Sequence, residues 1–353
     1  MTAIVTADLH LSSNPRDSYR HHFVRNILLG IVTRKRPTTL IILGDLTDQK
    51  DYHSSELVNT IVEYLYAFSL ECPVIVMRGN HDCINPDMPF FGFVKHIPNI
   101  TWITQPKVMT IAGLGVCCFL PHTRNYKRDW AELSFAPYKR DPNTGFIFAH
   151  NTFDGADAGH GRTLRGIPTS VFPKQATVIS GDIHIPQTLN QVTYVGAPYT
   201  VTFGDSYKPR VLQIGLTPER PYTVSGRKEA SREIQMQSIP CEGAQKRVVD
   251  IKNPHKGLAI ALNKGDMVKA RVHLAAEDYA RWNEIQAQVR KAIEQQGAIA
   301  SIIQPIKVSQ TIKLQRKRTA GLQNDLELLE TYAKRRGVTT DTLKTGKWIM
   351  EQV

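Results

Sequence analysis

Cysteine is scarce in this chain and never paired. Cys72, Cys83, Cys117, Cys118 and Cys241 are odd in number and show none of the two-residue spacings that hold zinc or a redox disulfide. That excludes a disulfide framework and a thiolate metal knuckle, and it points to reduced thiols in the cytoplasm. Cys117 and Cys118 read as small apolar fillers of a strand, Val116 to Leu120. Long apolar runs are also missing. No stretch approaches the ~20 residues of a membrane span, so no membrane partner is expected. The first strand-type run starts at residue 3 and leaves no room for a signal peptide. Negative charge is in deficit, with 32 Asp and Glu against 44 Lys and Arg, a formal net of +12. Such a balance favours a polyanionic partner. The surplus is unevenly spread: residues 1–209 carry 19 basic and 17 acidic residues, the remainder 25 and 15.

The chain does contain five short apolar runs of strand type that end abruptly in polar residues. Ala3-Ile4-Val5-Thr6-Ala7 runs into Asp8-Leu9-His10, and Leu40 to Leu43 into Gly44-Asp45. Val74 to Met77 leads to Gly79-Asn80-His81-Asp82, and Phe146 to Ala149 to His150-Asn151. Ala176 to Ser180 leads to Gly181-Asp182-Ile183-His184. Short apolar runs closed by turn residues read as buried strands, and layered α/β folds gather functional groups at strand carboxyl ends. One such coincidence is a turn or a packed histidine. Five in order point to a single polynuclear metal site.

Asp8 and His10 sit two apart, so on an extended strand end both face one side and serve one ion. Asp45 has two carboxylate oxygens and can bridge two ions. Asn80 offers an amide oxygen, and His150 and His184 offer imidazole nitrogens. Mixed oxygen and imidazole ligation suits Mn²⁺, Fe²⁺ or Zn²⁺, and two ions ~3.5–4 Å apart clamp a phosphoryl group and activate water. His81 reads as a general acid for the leaving oxygen, with Asp82 holding its ring and raising its pKa. His122, Arg124, His53, His160 and Arg162 are weaker candidates for meeting substrate from loops.

Helical patterns separate the runs. Ser54-Ser55-Glu56 opens one, with Leu57, Ile61 and Leu65 on a 3.6-residue stripe; residues 18–35 form another. Segments 100–125 and 190–240 turn to short strands, including Leu189 to Tyr199 and Pro209 to Ile214. The expected architecture is α/β: a two-sheet β-sandwich flanked by helices, with a small α+β domain and a C-terminal helical hairpin. The expected boundaries are 1–240, 241–308 and 309–353. The second unit holds a strand at Lys269–Leu274, a helix from Ala276 to Gln296 and a strand at Ile299–Val308. A basic linker follows at Lys313–Arg318. One terminal helix aligns Leu322, Leu326, Leu329 and Ala333; the next starts after Asp341 as N-cap and carries Leu343, Trp348 and Ile349.

The ordered motifs Asp8-x-His10, Gly44-Asp45-x-x-Asp48, Gly79-Asn80-His81-Asp82, His150-Asn151 and Gly181-Asp182-x-His184 resemble the five signatures of the calcineurin-like metallophosphoesterases, over residues 1–205. Within that superfamily, Ile185-Pro186-Gln187, Tyr194 to Tyr199 and Phe203-Gly204-Asp205 resemble the SbcD-type DNA repair nuclease subunit, and the small size resembles its phage-encoded members. The resemblance implies that Asp8, His10, Asp45 and His184 hold one Mn²⁺, with Asp45, Asn80, His150 and Asp182 holding the other; Mg²⁺ is the second choice. It implies 3′ exonuclease and single-strand endonuclease activity on DNA, a DNA-capping role for 241–308, and docking of the terminal helices on an SbcC-type coiled-coil ATPase. It also implies a homodimer through the catalytic domain.

Asp182 departs from the family pattern, which places histidine there. A third carboxylate beside Asp8 and Asp45 favours harder ions such as Mn²⁺ or Mg²⁺ and a weaker Lewis acid. Two other readings stand beside the nuclease. One is a metal-dependent phosphatase on the same core, which leaves the basic C-terminal part and terminal helices without a use. The other is a weakly active DNA-end clamp for its ATPase, with Asp182 disabling the second ion.

Overall fold

The computed structural model describes residues 1–353 except 160, 219, 225–226, 232, 257–260, 308–320 and 352–353, with the backbone alone at 142, 220–224, 227–231, 321–326 and 350–351. His160, Val308 and the basic stretch Lys313–Arg318 therefore lie outside the described residues, as do the side chains of Leu322 and Leu326. Two compact units are present, Met1–Lys307 and Val308–Val353.

The first unit is built on strands β1 (Thr2–Thr6), β2 (Thr39–Leu43), β3 (Val74–Met77), β4 (Ile100–Ile103), β5 (Lys107–Ile111) and β6 (Gly115–Leu120). They are followed by β7 (Ile147–His150), β8 (Val178–Gly181), β9 (Gln187–Leu189), β10 (Val192–Tyr194) and β11 (Arg210–Leu216). A hairpin of β12 (Arg220–Val224) and β13 (Arg227–Ser231) precedes β14 (Ile234–Pro240). One sheet runs β14-β11-β1-β2-β3-β4 and the other β5-β6-β7-β8-β10-β9. Within them β1 to β4 are parallel, as are β6, β7, β8 and β10.

The expected two-sheet sandwich with flanking helices is what forms, and strand alternation shows why. Val5, Ile41, Leu43 and Met77 from one sheet join Phe119, Phe148 and Ile179 from the other in one buried cluster. Their neighbours Ile4, Leu40, Ile42 and Val76 face outward into a second cluster with Phe23, Leu28, Leu57, Ile61 and Leu65 of the helices. On the opposite side Ile147, Ala149 and Val178 pack with Trp130, Tyr138 and Phe172. Strands covered on both faces must be apolar throughout, so these runs are continuous rather than alternating. Helix Ser55–Glu71 is capped by Ser54, whose hydroxyl accepts from the Leu57 N–H at 3.2 Å. The segment 18–35 is helical with a π turn at Phe23–Leu28.

In the same unit β15 (Lys246–Ile251), β16 (Met267–Leu274) and β17 (Ile299–Lys307) make a parallel three-stranded sheet. Helix Trp282–Glu294 covers one face through Ile285, Val289 and Ile293, packed with Val268, Ala270, Val272 and Leu274. The alternate residues Lys269, Arg271 and His273 are only half-buried. Gly297, at φ 77°, ends the helical segment. This module is tied to the sandwich by Lys246, whose ammonium reaches Asp17 Oδ1 at 2.9 Å and the Val201 carbonyl at 3.1 Å.

The second unit contains helices Gly321–Arg336 and Thr340–Glu351. The second begins one residue before Asp341: Thr339 takes the capping place and accepts from the Thr342 N–H, while Asp341 sits in the first turn. Ala333 is buried, while Leu328, Tyr332, Trp348 and Ile349 are at least half exposed. Among the described residues no helix is long and apolar enough to cross a membrane.

Candidate metal centre

All five motif loops leave the carboxyl ends of β1, β2, β3, β7 and β8. The β1 and β2 loops continue to pair beyond the strands: Asp8 N–H donates to the Gly44 carbonyl at 3.2 Å, His10 N–H to Asp45 at 2.9 Å and Leu11 N–H to Leu46 at 2.9 Å. Asp8 (φ 55°), His10 (φ 40°), Asp45 (φ 53°) and Asp182 (φ 82°) all sit in the left-handed region. That conformation is costly for non-glycine residues and concentrates at functional sites. It corrects one expectation. Asp8 and His10 do not share a side by strand alternation, because β1 ends at Thr6 and the backbone at both residues is turned.

The glycines of the motifs allow a close approach. A Cβ on Gly79 would collide with Asp45 Oδ1 and lie 2.9 Å from His150 Cε1. A Cβ on Gly44 would lie 2.7 Å from Gly79 Cα. Only bare backbone lets β2, β3 and β7 deliver their side chains to one point.

Asp8, His10, Asp45, His150 and Asp82 are all buried. Ligand atoms of Asp8, His10 and His184 lie within 4.8 Å of one another, as do those of Asp8, Asp45 and His150. Asp45 joins the two groups: its Oδ2 is 3.5 Å from His10 Nε2 and its Oδ1 is 3.4 Å from His150 Nε2. His10 Nε2 and His184 Nε2 are 3.0 Å apart. The Asn80 amide reaches to 2.9 Å from His150 Nε2. Turned nitrogen-inward, that amide donates to Asp45 at 3.2 and 3.3 Å and to Asp182 Oδ1 at 3.2 Å; turned oxygen-inward, it offers a neutral ligand from the same place. Asp182 Oδ1 is 3.9 Å from His150 Nε2, its Oδ2 accepts from the Thr152 hydroxyl at 2.5 Å, and its N–H donates to Asp8 Oδ1 at 3.0 Å. The seven expected ligands, including Asp182, therefore converge.

This donor set is short of positive charge. Three carboxylates surround buried imidazoles, and Asp8 Oδ2 is buried with no hydrogen-bond partner. Burial pushes the Asp8 carboxyl up to about 7, helped by Asp45 and Asp182 and resisted by His150. Burial works against charge on Asp45 as well, but His150 and His10 outweigh it and hold this carboxyl below its usual range. Burial alone would depress His150, yet Asp45, Asp8 and Asp182 lift it well above an ordinary histidine. Burial and the neighbouring His10 bring His184 down to about 4, so it presents a lone pair. His150 Nδ1 faces the Leu43 carbonyl, which fixes Nε2 as the inward atom. A proton on that Nε2 occupies the place among oxygens that a divalent cation would fill. An orphaned carboxylate oxygen and mixed O/N donors fit divalent ions.

His81 and Asp82 part company. The Asp82 carboxylate accepts backbone N–H groups from Gly79 at 2.6 Å, Leu46 at 2.8 Å and Asp45 at 2.9 Å. It is a buried clasp between the β2 and β3 loops, and the expected Asp82 hold on the His81 ring is replaced. His81 Nδ1 instead meets the Asp48 carbonyl at 2.8 Å, and its N–H donates to Asp45 Oδ1 at 2.8 Å. The reason is local: three adjacent loop N–H groups need a buried acceptor, and Asp82 lies beneath them.

Several contributors escaped the sequence reading. Buried Arg20 donates to the His10 carbonyl and pairs with Asp17 at 3.2 Å. Tyr199 donates to the Leu9 carbonyl. Asp48 Oδ1 lies 3.5 Å from His10 Nδ1. Arg78, buried beside Gly79, donates to the carbonyls of His122 at 2.8 Å and Thr104 at 3.3 Å. Asp48 and Tyr199 stand in the motifs Gly44-Asp45-x-x-Asp48 and Tyr194 to Tyr199 without a role assigned to them, and Arg78 carried a signal by standing directly before Gly79. Among the weaker candidates, the His122 ring centre is 6.3 Å from that of His150, and burial brings it down to about 4. His53 packs on Phe90 at 4.5 Å and meets the Thr47 hydroxyl at 2.9 Å, a structural place. Cys83 is a buried thiol 3.7 Å from Arg78 Nη1, and burial raises its pKa.

Among curated proteins, none matches the sequence significantly. Solved structures to which the chain shows similarity include a dimetal phosphatase from Danio rerio, at 10% identity and a TM-score of 0.41, covering 69% of this chain and 99% of that one. They also include GAP50, the anchor in the inner membrane complex of Plasmodium, at 10% identity and a TM-score of 0.38, covering 69% and 89%. The calcineurin-like phosphoesterase family matches residues 1–186, the stretch that holds every strand-end motif. The chain belongs to the calcineurin-like phosphoesterases, metal-dependent hydrolases of phosphoesters.

Proposed function

We propose that this chain is the nuclease subunit of an SbcCD-type complex, hydrolysing DNA phosphodiesters as a 3′ exonuclease and single-strand endonuclease. The observation that carries this reading is the division of the chain. A near-neutral catalytic part bears the metal centre, and a basic remainder, which holds no candidate metal cluster among the described residues, is appended to it. A monoester phosphatase has no use for the module with Lys269, Arg271 and His273 on its half-buried face, nor for a helical hairpin that exposes Leu328, Tyr332, Trp348 and Ile349. In this reading residues 241–308 cap DNA, 309–353 dock on a coiled-coil ATPase, and the protein works as a cytoplasmic homodimer of the phage-encoded size class.

Asp8, His10, His184 and Asp45 would hold one ion, and Asp45, Asn80, His150 and Asp182 the other, Mn²⁺ before Mg²⁺. Two divalent ions supply Lewis acidity toward the phosphoryl group and ionise water near neutral pH. The chain's own part is to fix the ligands and move a proton. Asp82 locks the β2 and β3 loops, while Asp48 orients His81 by accepting at Nδ1. His81 Nε2 then carries the proton handed to the leaving oxygen.

The centre itself would serve a monoester equally well, and the following experiment separates the readings. Incubate the Mn²⁺-loaded protein and His81→Ala with end-labelled single- and double-stranded DNA and with p-nitrophenyl phosphate. His81-dependent DNA cleavage is expected. Turnover of the small ester alone would establish the phosphatase, and DNA binding without any cleavage would leave the end clamp.

A further inference from the structure

A cavity of about 430 Å³ opens beside Asn80, on the side of the metal centre bounded by His122. Its size is that of a small-molecule site, and its lining mixes two chemistries. Lys50 and Arg124 line it, and neither has a hydrogen-bond or carboxylate partner among the described residues. Arg78 also lines it, and among the described residues its guanidinium donates to the carbonyls of His122, Thr104 and Gly79 and to the Cys83 sulfur, none of them anionic. Of the two lining carboxylates, Asp129 is already engaged by Thr123 and Arg128. The lining also carries the apolar side chains of Pro86 and of Ile84, the latter 64% exposed.

We propose that this cavity is a nucleotide subsite, which seats one nucleotide of the substrate strand with its phosphate against Lys50 and Arg124 and its base on Ile84 and Pro86. Unpaired cations and apolar side chains lining one cavity match a ligand that is anionic at one end and flat and apolar at the other. A phosphorylated amino acid would use the cations and leave Ile84 and Pro86 bare. Because the cavity begins at Asn80, a strand in it continues directly to the metal centre. Charge-assisted hydrogen bonds from Lys50 and Arg124 supply the affinity, and apolar contact with Ile84 supplies selection against bare phosphate. This inference deepens the nuclease reading and rests on it for the polymeric substrate, while its test needs no cleavage.

The test is calorimetric titration of dAMP and of inorganic phosphate into the full-length, Mn²⁺-loaded protein, comparing the parent with Lys50→Ala/Arg124→Ala and with Ile84→Ser. All three side chains are at the surface of the cavity and outside the metal cluster, so metal loading is expected to be retained and is measured first. In the parent, dAMP is expected to bind about tenfold tighter than phosphate or better. The double substitution should weaken dAMP and phosphate binding together, about tenfold or more, whereas Ile84→Ser should reduce the preference for dAMP several-fold with phosphate binding unchanged. Equal affinity of dAMP and phosphate in the parent, a preference that survives Ile84→Ser, or dAMP binding that survives the double substitution would overturn the subsite. Loss of the preference together with absent DNA cleavage would sustain the subsite while ending the nuclease reading. Intact DNA cleavage with an unaltered preference would do the reverse.

Discussion

Metal binding to this centre should expel protons, in a number that Asp8 and His150 set. In the metal-free protein burial holds the Asp8 carboxyl up at about 7. The carboxylates of Asp45, Asp8 and Asp182 outweigh burial at His150 and keep its imidazole protonated above the ordinary range. Each group must lose its proton to ligate. At pH 6 a carboxyl titrating near 7 is about nine-tenths protonated, and each proton displaced costs about 1.4 kcal/mol per pH unit. With one to two protons displaced, Mn²⁺ affinity should fall roughly 30- to 1000-fold from pH 7 to pH 5.5. Calorimetry in buffers of different ionisation enthalpy reads the proton count directly, and Asp8→Asn should lower that count by about one. A pH-independent affinity over this range, with no buffer-dependent heat, would refute the assignment of these two side chains as ligands. So would an Asp8→Asn variant with the parent's proton count.

Stability of the metal-free protein carries the opposite signature. Asp8 and His150 both bind protons more tightly folded than unfolded, so their contribution is complete below the unfolded values and is lost as pH rises through the folded ones. Asp45, held low, contributes above the usual carboxylate range and loses that contribution in acid. The Tm of the chelated protein should therefore drop as pH rises past 7, while Mn²⁺ restores it by an increment that grows with pH.

Three substitutions test other parts of the centre. Asp82→Asn would turn an amide NH₂ toward backbone donors from Asp45, Leu46 and Gly79, so denaturant unfolding should show a loss of about 2–3 kcal/mol; unchanged stability would contradict the clasp. Asp182→His removes a carboxylate 3.9 Å from His150 Nε2, and titrations should show the preference for Mn²⁺ and Mg²⁺ over Zn²⁺ shrinking; an unmoved preference and pH optimum would take Asp182 out of the ligand set. Arg20→Met strips the His10 carbonyl of its donor and Asp17 of one cation, and should cost about 3 kcal/mol and weaken Mn²⁺ binding, both absent if Arg20 merely fills space.

What the sequence made legible follows from what periodicity and spacing can carry. Leu40 to Leu43 and Val74 to Met77 announced themselves because strands covered on both faces leave no polar residue inside the run. Their termination in Asp45 and Asn80 located the centre, since only a sheet brings residues so far apart in sequence to one edge. Lys246 to Ile251 gave no such warning. With an open face beside it, β15 carries Lys246, Arg247 and Asp250 among its valines, and its pattern is too mixed to read as a strand. Asp82 was misread for a different reason. Adjacency in sequence places it beside His81, and a carboxylate next to a histidine suggests a pair. The turn that exposes His81 sends Asp82 the other way, beneath the backbone of Gly79, Asp45 and Leu46, whose N–H groups have no partners within their own strands. Arg20 is the extreme case. Nothing in the helical segment 18–35 marks one arginine among its neighbours, and its role exists only because the left-handed turn at His10 points a buried carbonyl at that helix. Ligand identity was local information and could be read. The groups that hold the ligands answer to unpaired backbone atoms, and those appear only once the chain has turned.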